Sequence, residues 1–525
     1  MGIYLNPNNR NFQKTLNSLV YVDKTLLISH INAVLDTNDN CICVSRPRRF
    51  GKTIAADMLA AYYSKGCCSL SLFESLKIAH TDSYQKNLNT FNVIKFDLSE
   101  EYQNVEDKKE LFNYINRKIG KEFQEEFPEV DFVDCKTLPD YILAVYKVLG
   151  QTFILIIDEY DVLIRERVEN SLYEKSLSFF NALFKGAAIN AAISLAYVTG
   201  ILPIVKDKVQ SKLNNFTQYT MLDSGALTEF VGFTSEEVQE LCKNAGVDFE
   251  NCRRWYNGYS QNNHELYNPK SIAELVKNKK FNNYWNATGS YEAIKDYILL
   301  DFDGIRSDVT RLLAGERIPI NPQLFLNTLH NFSSKNEVFT LLIHLGYLAF
   351  DEIAQQCFIP NNEIRQEWVN ALSTTTEYTK LMDIINQSKE LLEATIQGRA
   401  SVVAKALNKA HSWSTSNLTY NNEGSFQSAI CLAYFYAATQ YTIIKELPSG
   451  KGYADVAFIP YSLGIPAIIV ELKNNKSAES ALQQIKNKEY KQALQHYHGN
   501  LLFVGISYDE NTKEHDCRIE TVVYE

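Results

Sequence analysis

The chain reads as an α/β protein with a large parallel-sheet part first, a helical stretch, and a smaller α/β part at the C-terminus. Three observations predict this. Apolar strand-like runs alternate with helical patterns from residue 40 to 200, which argues a parallel sheet with crossover helices. Residues 231–410 turn to helical periodicity. From Tyr420 short strands return around one apolar helix. With 525 residues, the chain is too long for one core and suggests about two to four domains.

Composition excludes several classes. Hydrophobic content of 45% beside 22% charged residues is that of a folded globular chain, not a disordered one. A net charge of −10 leaves no global basic field, so a nucleic-acid site must be a local patch. The ten cysteines show neither Cys-x-x-Cys nor zinc spacing and read as reduced core thiols of a cytoplasmic protein. The first residues lack an apolar signal core, and Asn6 stands where a myristoylation signal wants Ser or Thr. Runs such as Phe153–Ile157 are too short to span a bilayer, so no membrane partner is expected.

In order, Tyr21-Val22-Asp23-Lys24-Thr25 precedes a helix with Leu27, Ile31, Val34 and Leu35 on one face, capped by Asp23 or Thr25. Cys41–Val44 is a buried strand. Ser45 to Phe50 is a loop containing Arg46, Pro47, Arg48 and Arg49. Gly51-Lys52-Thr53 opens a helix carrying Ile54, Met58, Leu59 and Tyr62 at helical spacing. Strand, loop, Gly-Lys-Thr and helix is the layout of a phosphate-binding loop. Amides at a helix N-terminus hold phosphate oxygens, and the helix dipole favours the anion. Gly51 allows close backbone approach. Lys52 reaches the β- and γ-phosphates, and Thr53 ligates Mg²⁺. In G-x-x-x-x-G-K-[ST] the first glycine falls on Arg46, a departure. An ordinary strand–turn–helix would share the rest.

Phe91–Leu98 is a second strand, and residues 100–150 are charged and helical. Thr152–Ile157 is a third strand, ending in Asp158-Glu159-Tyr160-Asp161. Asp158 holds the Mg²⁺ shell and Glu159 polarises the attacking water in this reading. A solvated acidic turn is the bland alternative, weakened by the Gly-Lys-Thr loop upstream. Ile193–Val198 is a fourth strand closing on Thr199-Gly200. Ligands of open parallel sheets sit at strand carboxyl ends, so Thr199 is a candidate for the γ-phosphate or the attacking water. Thr234-Ser235-Glu236-Glu237 starts a helix, and Trp255–Tyr259 is an aromatic turn with Asn-Gly at its tip.

YVDKT, SRPRRFGKT, IIDEYD, TGILPI, KLNNF, VGFTSEEV, WYNGY and YNPKSI, in this order, resemble the bacterial AAA-ATPase-like family. That family commonly joins this domain to a C-terminal PD-(D/E)XK nuclease-like domain. The resemblance covers nearly the whole chain. It implies a P-loop NTPase parallel sheet of the additional-strand type over 1–230 and a helical lid over 231–290. A helical connector over 291–410 and a restriction-endonuclease-like α/β domain over 411–525 complete it. The family carries the Arg-Pro-Arg-Arg-Phe loop, so Arg46 is a family trait. Many relatives have Arg after TGIL; Pro203 stands here, and no arginine role transfers. Within the connector, Val338–Leu345 followed by strands at 346–350 and 356–360 and a helix from Asn362 suits a winged-helix-like module.

The C-terminal part has its own chemistry. Glu423 precedes the apolar helix Phe426–Ala437. A strand from Tyr441, a Gly-rich turn, the strand Ala454–Ile459 and the strand Ala467–Lys473 follow. Side chains alternate on a strand, so Glu471 and Lys473 share a face, and a hairpin brings Asp455 beside them. Asp455 and Glu471 make a hard-oxygen site for Mg²⁺ or Mn²⁺. Lys473 orients a water and stabilises charge on a scissile phosphate, and Glu423 supplies a further carboxylate. This arrangement resembles the PD-(D/E)XK core. The helix Ala481–Lys486 and Tyr490 match the family's next motif, with Gln484 and Tyr490 facing phosphate or metal-bound water. Lys473, Lys476, Lys486, Lys488 and Lys491 give local positive charge. Final strands are Leu501–Ile506 and Cys517–Val523.

Together these features predict an Mg-ATPase that gates or positions metal-dependent cleavage of nucleic acid, DNA before RNA. The rival is an ATP-switched binding protein whose nuclease fold grips without cutting. Arg46, Arg48, Arg49, Arg253, Arg254 or a neighbouring subunit of a homo-oligomer are the sources of an arginine finger.

Overall fold

The computed structural model describes residues 2–204, 215–285, 291–300, 302–325, 332–417, 423–449, 452–461, 464–487 and 499–522. The side chains of 291–293, 324, 411–417, 423–425, 448–449 and 452 lie outside that description. The chain divides into two units: Met1–Tyr284 with Ile320–Cys357, and Trp285–Pro319 with Phe358–Glu525.

The first unit is built on β1 (Cys41–Ser45), β2 (Asn92–Asp97), β3 (Phe153–Asp158), β4 (Ile193–Gly200) and β5 (Thr217–Tyr219). Their order is β2-β3-β4-β1-β5, and every pair is parallel. Thus β4 is inserted between β1 and β3, the additional strand expected above. The fifth strand, at the edge, is one the sequence pattern does not show. All six residues of β3 are buried, as a central parallel strand covered on both faces requires. Cys43, Leu155, Ile157 and Val198 face a core with Phe123, Ile142 and Phe180. The helix Leu138–Leu149 supplies part of it and begins at a capping box of Thr137 and Asp140. Of the KLNNF stretch only Asn215 and Phe216 are described.

After this sheet the same unit holds β6 (Phe233–Thr234), helices Ser235–Ala245 and Phe249–Tyr256, β7 (Tyr259–Gln261), β8 (His264–Tyr267) and helix Pro269–Asn278. The sequence predicts short helices here; the structure adds a three-stranded sheet, β6-β8-β7. Its tight turn is Asn262-Asn263, both with positive φ (48° and 64°). Two left-handed residues match the twist of a two-residue hairpin, and Asn tolerates them. Strand β9 (Ile318–Pro319) falls in the second unit. Helix Lys335–His344 and the strands β10 (Ala349–Asp351) and β11 (Gln356–Phe358) follow. Helix Asn362–Ser373 comes next. The predicted helix, hairpin and helix are therefore present in order, with the boundary between units falling after Cys357.

The second unit carries a mixed sheet of β12 (Tyr441–Ser449), β13 (Gly452–Pro460), β14 (Ala467–Asn474), β15 (Leu501–Asp509) and β16 (Glu514–Val522), in sequence order. Only β14 and β15 run parallel, and helix Ala478–Asn487 lies in the connection between them. One sheet face packs on helices Thr379–Ile396, Ala400–Asn417 and Glu423–Ala433 through Leu391, Leu407, Ile430, Tyr434, Val456 and Val470. The other meets helix Ala478–Asn487 through Ile469 and Ile485. All ten cysteines of the chain are free thiols. Among the described residues no helix is long and apolar enough to cross a membrane.

Gly505 of β15 is where that last helix meets the sheet. A Cβ there would lie 2.4 Å from the Ala478 carbonyl oxygen and 3.0 Å from the Leu482 nitrogen. Both are backbone atoms of the helix, so the helix itself would have to move. Gly505→Ala is expected to cost about 1–3 kcal/mol, read as a lower calorimetric transition temperature; an unchanged transition would show that the helix shifts freely.

Candidate active sites

The first constellation lies at the carboxyl ends of β1, β3, β4 and β2. The segment after β1 turns through Arg49 (φ +70°) and Gly51 (φ +93°) into helix Lys52–Tyr63. Gly51 is the residue before the helix, and its left-handed backbone is the reason for glycine there. Lys52 is 4% exposed. Its Nζ donates to the carbonyl oxygens of Arg46 (3.0 Å) and Pro47 (3.1 Å) and lies 3.7 Å from Glu159 Oε1. Thr53 is exposed on the first turn.

Asp158 ends β3 and is 1% exposed. Its Oδ1 accepts from the Glu159 amide (3.0 Å) and from the Thr199 hydroxyl. Its Oδ2 is buried with no hydrogen-bond partner among the described residues. A buried carboxylate oxygen left so costs about 1–3 kcal/mol, and a cation or a cation-bound water at that oxygen removes the cost. The donor set Thr53 and Asp158 therefore fits Mg²⁺. Glu159 adopts a left-handed backbone (φ +52°), and its Oε2 is held by Arg165. Asp161 is fully buried, its Oδ2 accepting the amides of Ile201 (3.1 Å) and Leu202 (2.9 Å).

The loop arginines divide three ways. Arg46 is fully buried, and its Nη1 donates to the carbonyls of Ser45 (3.0 Å) and Thr220 (2.6 Å). Burial lowers its pKa to about 10, still charged at neutral pH. The Arg46 side chain, a candidate for the nucleotide, lies buried beside β5: its Nη1 is engaged by main-chain carbonyls, while its Nε and Nη2 are buried with no hydrogen-bond partner among the described residues. His344, buried near it, is pushed down to about 3 by burial and by Arg46, and is neutral. Arg49 donates to the Tyr284 carbonyl (2.8 Å), and Arg48 is exposed. Phe50 is buried edge-on against Tyr259 at 5.6 Å, and Asn268, which caps helix Pro269–Asn278, donates to the Arg48 carbonyl (3.3 Å). The WYNGY and YNPKSI stretches thus brace the loop. Lys24 of YVDKT donates to Glu237 (2.6 Å) at the start of helix Ser235–Ala245. Arg253 pairs with Glu265 (2.9 Å).

Two residues beside Asp158 escaped the sequence reading. Asp97 ends β2 in register with Asp158 and caps the next helix through the amides of Ser99 (2.7 Å) and Glu100 (3.1 Å). An acid closing an apolar strand was its signal, as for Asp158. Arg165 stands six residues beyond Glu159 with no motif to mark it.

The second constellation sits where β13 meets β14. Asp455 lies one residue beyond the Val456–Val470 pair, and its Oδ2 accepts the Leu472 amide (2.6 Å). Glu471 is 1% exposed. Its Oε1 accepts from Lys473 Nζ (3.2 Å) and from Gln484 on helix Ala478–Asn487. Asp455, Glu471, Lys473 and Gln484 are therefore together, as the hairpin and the strand alternation predict. The side chain of Glu423, and Lys488, Tyr490 and Lys491, lie outside the described residues. Lys486 pairs with Glu520 (2.6 Å), and Lys476 is exposed. Among the described residues no three or more His, Cys, Asp or Glu side chains group to hold a metal. The two carboxylates of Asp455 and Glu471 are hard-oxygen donors of the kind Mg²⁺ or Mn²⁺ takes.

Two stretches of the chain match known families. Residues 10–210 match the family described as "Predicted AAA-ATPase", and residues 421–516 match the PD-(D/E)XK nuclease superfamily. The chain carries an AAA-ATPase-like domain followed by a PD-(D/E)XK nuclease-like domain. It is similar to "Uncharacterized protein in vnfD 5'region" of Azotobacter chroococcum mcd 1, 21% identical over 474 residues and 85% of each chain. Among solved structures it is similar to the Aeropyrum pernix ORC2 protein (ADPNP-ADP complexes; 12% identity, TM-score 0.30, 69% of this chain and 97% of that one). The A. pernix ORC1 protein in complex with DNA follows (10%, TM-score 0.27, 71% and 97%). C. elegans PCH-2 gives 14% identity and a TM-score of 0.22, over 46% of this chain and only about half, 52%, of its own.

Asp97 provides a test of the crowded carboxylates. Burial, with Asp158 and Glu159 nearby, raises its pKa from 3.8 to about 6. A carboxyl raised on folding contributes stability that is complete below 3.8 and lost as pH climbs through about 6. Asn keeps the helix cap and removes the titration. The stability of wild type minus that of Asp97→Asn should therefore fall between pH 4 and pH 6 and level off above 7, measured by urea denaturation. A difference flat across that range would show the carboxyl is not raised.

Proposed function

We propose that the chain is an Mg-dependent ATPase whose nucleotide cycle gates or positions metal-dependent cleavage of nucleic acid by the C-terminal domain. The observation that carries the first half is the unpartnered, buried Asp158 Oδ2 beside Thr199, on the strand next to the Lys52 loop. In this reading the amides of Gly51–Thr53 take the phosphates at the helix N-terminus, with the backbone of Arg46, Pro47, Arg48, Arg49 and Phe50 forming the cradle. Lys52 turns from the Arg46 and Pro47 carbonyls to the β- and γ-phosphates. Thr53 and Asp158 hold Mg²⁺, which when bound neutralises phosphate charge. Thr199, held on Asp158, aligns the γ-phosphate or the attacking water. Glu159 takes the proton of that water as its oxygen bonds to the γ-phosphorus and the bond to ADP breaks.

In the second half Asp455 and Glu471 hold Mg²⁺ or Mn²⁺, which supplies charge neutralisation at a phosphodiester. Lys473 orients the water and meets the charge developing on the phosphate. Gln484 fixes Glu471. Lys473 and Lys476 supply local positive charge against a chain of net −10, and DNA is the favoured polyanion. The rival is a binding protein that does not cut. It is favoured by one feature: Glu471 is almost fully buried and its Oε1 is already engaged by Lys473 and Gln484.

Lys52→Ala is expected to abolish ATP binding by calorimetry with folding intact. Glu159→Gln should retain binding and lose turnover by about 10²–10⁴-fold. Unchanged ATP affinity in Lys52→Ala would sink the ATPase reading.

Asp455→Ala should lose both Mn²⁺ binding and plasmid or single-strand cleavage, whereas Lys473→Ala should keep Mn²⁺ and lose cleavage. Both should retain ATPase activity. A wild-type protein that binds DNA or RNA yet cuts neither, with Mg²⁺ or Mn²⁺ and with or without ATP, establishes the rival.

A further inference from the structure

Glu159 is held from two sides. Its Oε1 lies 3.7 Å from Lys52 Nζ. Its Oε2 is bonded by Arg165 Nη2. The two cations differ in what anchors them. Among the described residues Lys52 is bonded otherwise to two carbonyls of its own loop, which are neutral and easily exchanged for phosphate oxygens. Arg165 is fixed by a second charge: its Nε donates to Asp161 Oδ2 at 3.1 Å. That same oxygen accepts the amides of Ile201 and Leu202, directly after the strand that ends in Thr199-Gly200. Arg165 is 12% exposed and Asp161 fully buried. A charge-assisted, largely desolvated contact of this kind holds its geometry better than a surface ion pair.

We propose that Arg165 is the positioning residue for the ATPase base: it grips Glu159 Oε2 and leaves Oε1, the oxygen facing Lys52, as the one that accepts the proton of the attacking water. The inference rests on the ATPase reading above and deepens it. When Lys52 moves to the phosphates, Oε1 loses the Lys52 ammonium and is freed on the phosphate side. Oε2 remains fixed to Arg165. The grip matters because Glu159 stands in a left-handed backbone conformation (φ +52°). That conformation is strained for a non-glycine residue and persists where surrounding contacts impose it. Through Asp161 the grip is tied to Ile201 and Leu202, so the base and the Thr199 end of β4 keep one relative position.

The test is steady-state ATPase kinetics with calorimetric ATP affinity on full-length wild type, Arg165→Ala, Arg165→Lys, Glu159→Gln and the Arg165→Ala/Glu159→Gln double variant. A base displaced by about 1 Å loses on the order of 10²-fold in rate. Arg165→Ala should therefore lower kcat by about 10²-fold while ATP affinity changes less than about twofold. Arg165→Lys, which can keep one of the two contacts, should fall between. In the Glu159→Gln background Arg165→Ala should cost nothing further, because its effect passes through Glu159. Wild-type kcat in Arg165→Ala overturns the inference. So does an equal additional loss in the double variant, which is what a merely structural arginine would give. If Arg165→Ala fails to fold, Arg165→Lys decides: a kcat in Arg165→Lys/Glu159→Gln no lower than that of Glu159→Gln, with reduced kcat in Arg165→Lys alone, supports it, and any other pattern overturns it. Failure of the underlying reading looks different: wild type then hydrolyses no ATP and Lys52→Ala binds ATP as wild type does, which overturns both.

Discussion

The first unit depends on one constraint, the insertion of β4 between β1 and β3 in a wholly parallel sheet. Parallel strands deliver their carboxyl ends to the same edge. With β4 in the middle, Thr199 stands between the Lys52 loop after β1 and the Asp158–Glu159 end of β3. The register does the placing, with Ser45 opposite Gly200, Val44 opposite Thr199 and Asp97 opposite Asp158. The Thr199–Asp158 contact and the Asp161 bonds to Ile201 and Leu202 then fasten the ends of β3 and β4 together. A slip of one residue would turn every one of these side chains to the other face.

How much of this could be read from the chain follows from the range of the interactions. Strand β3 and its acids were legible because an apolar run ending in Asp-Glu is local. So was the Gly-Lys-Thr helix start. The neighbourhood of Asp455, Glu471 and Lys473 was legible because a hairpin and a two-residue alternation are local too. Strand β5 was not: three residues, none of them buried, carry little hydrophobic signal, and they are strand only by pairing with β1. The Asn262-Asn263 turn was overlooked in favour of Asn257-Gly258, the stronger dipeptide. Asp97 carried a local signal, an acid closing an apolar strand, but its place beside Asp158 comes from the parallel pairing of β2 and β3. Arg165 was hidden because its role comes from a side-chain contact that no spacing rule encodes.

The loop around Phe50 shows what the recurring stretches of the chain are for. YVDKT, WYNGY and YNPKSI each bring a residue that touches neither of the candidate catalytic groups. Lys24 reaches Glu237, Tyr259 packs on Phe50, and Asn268 holds the Arg48 carbonyl. The last two of these contacts brace the segment from Arg48 to Phe50, while the Lys24 contact fixes the start of helix Ser235–Ala245. Arg46 belongs with them. Buried beside a neutral His344 and bonded to the Thr220 carbonyl, it fastens the start of the loop to the residue after β5.

In the proposed ATPase, the bonds of Lys52 to its own loop carbonyls and its ion pair with Glu159 compete with any incoming ligand. A neutral nucleoside, or an anion bearing one charge, would not replace two carbonyl bonds and an ion pair at a buried ammonium. A polyphosphate would, because several oxygens arrive at once with more negative charge than they displace. On that reading these contacts set a threshold for charge, and selectivity against nucleosides and weak anions arises before any contact with the base or sugar is made.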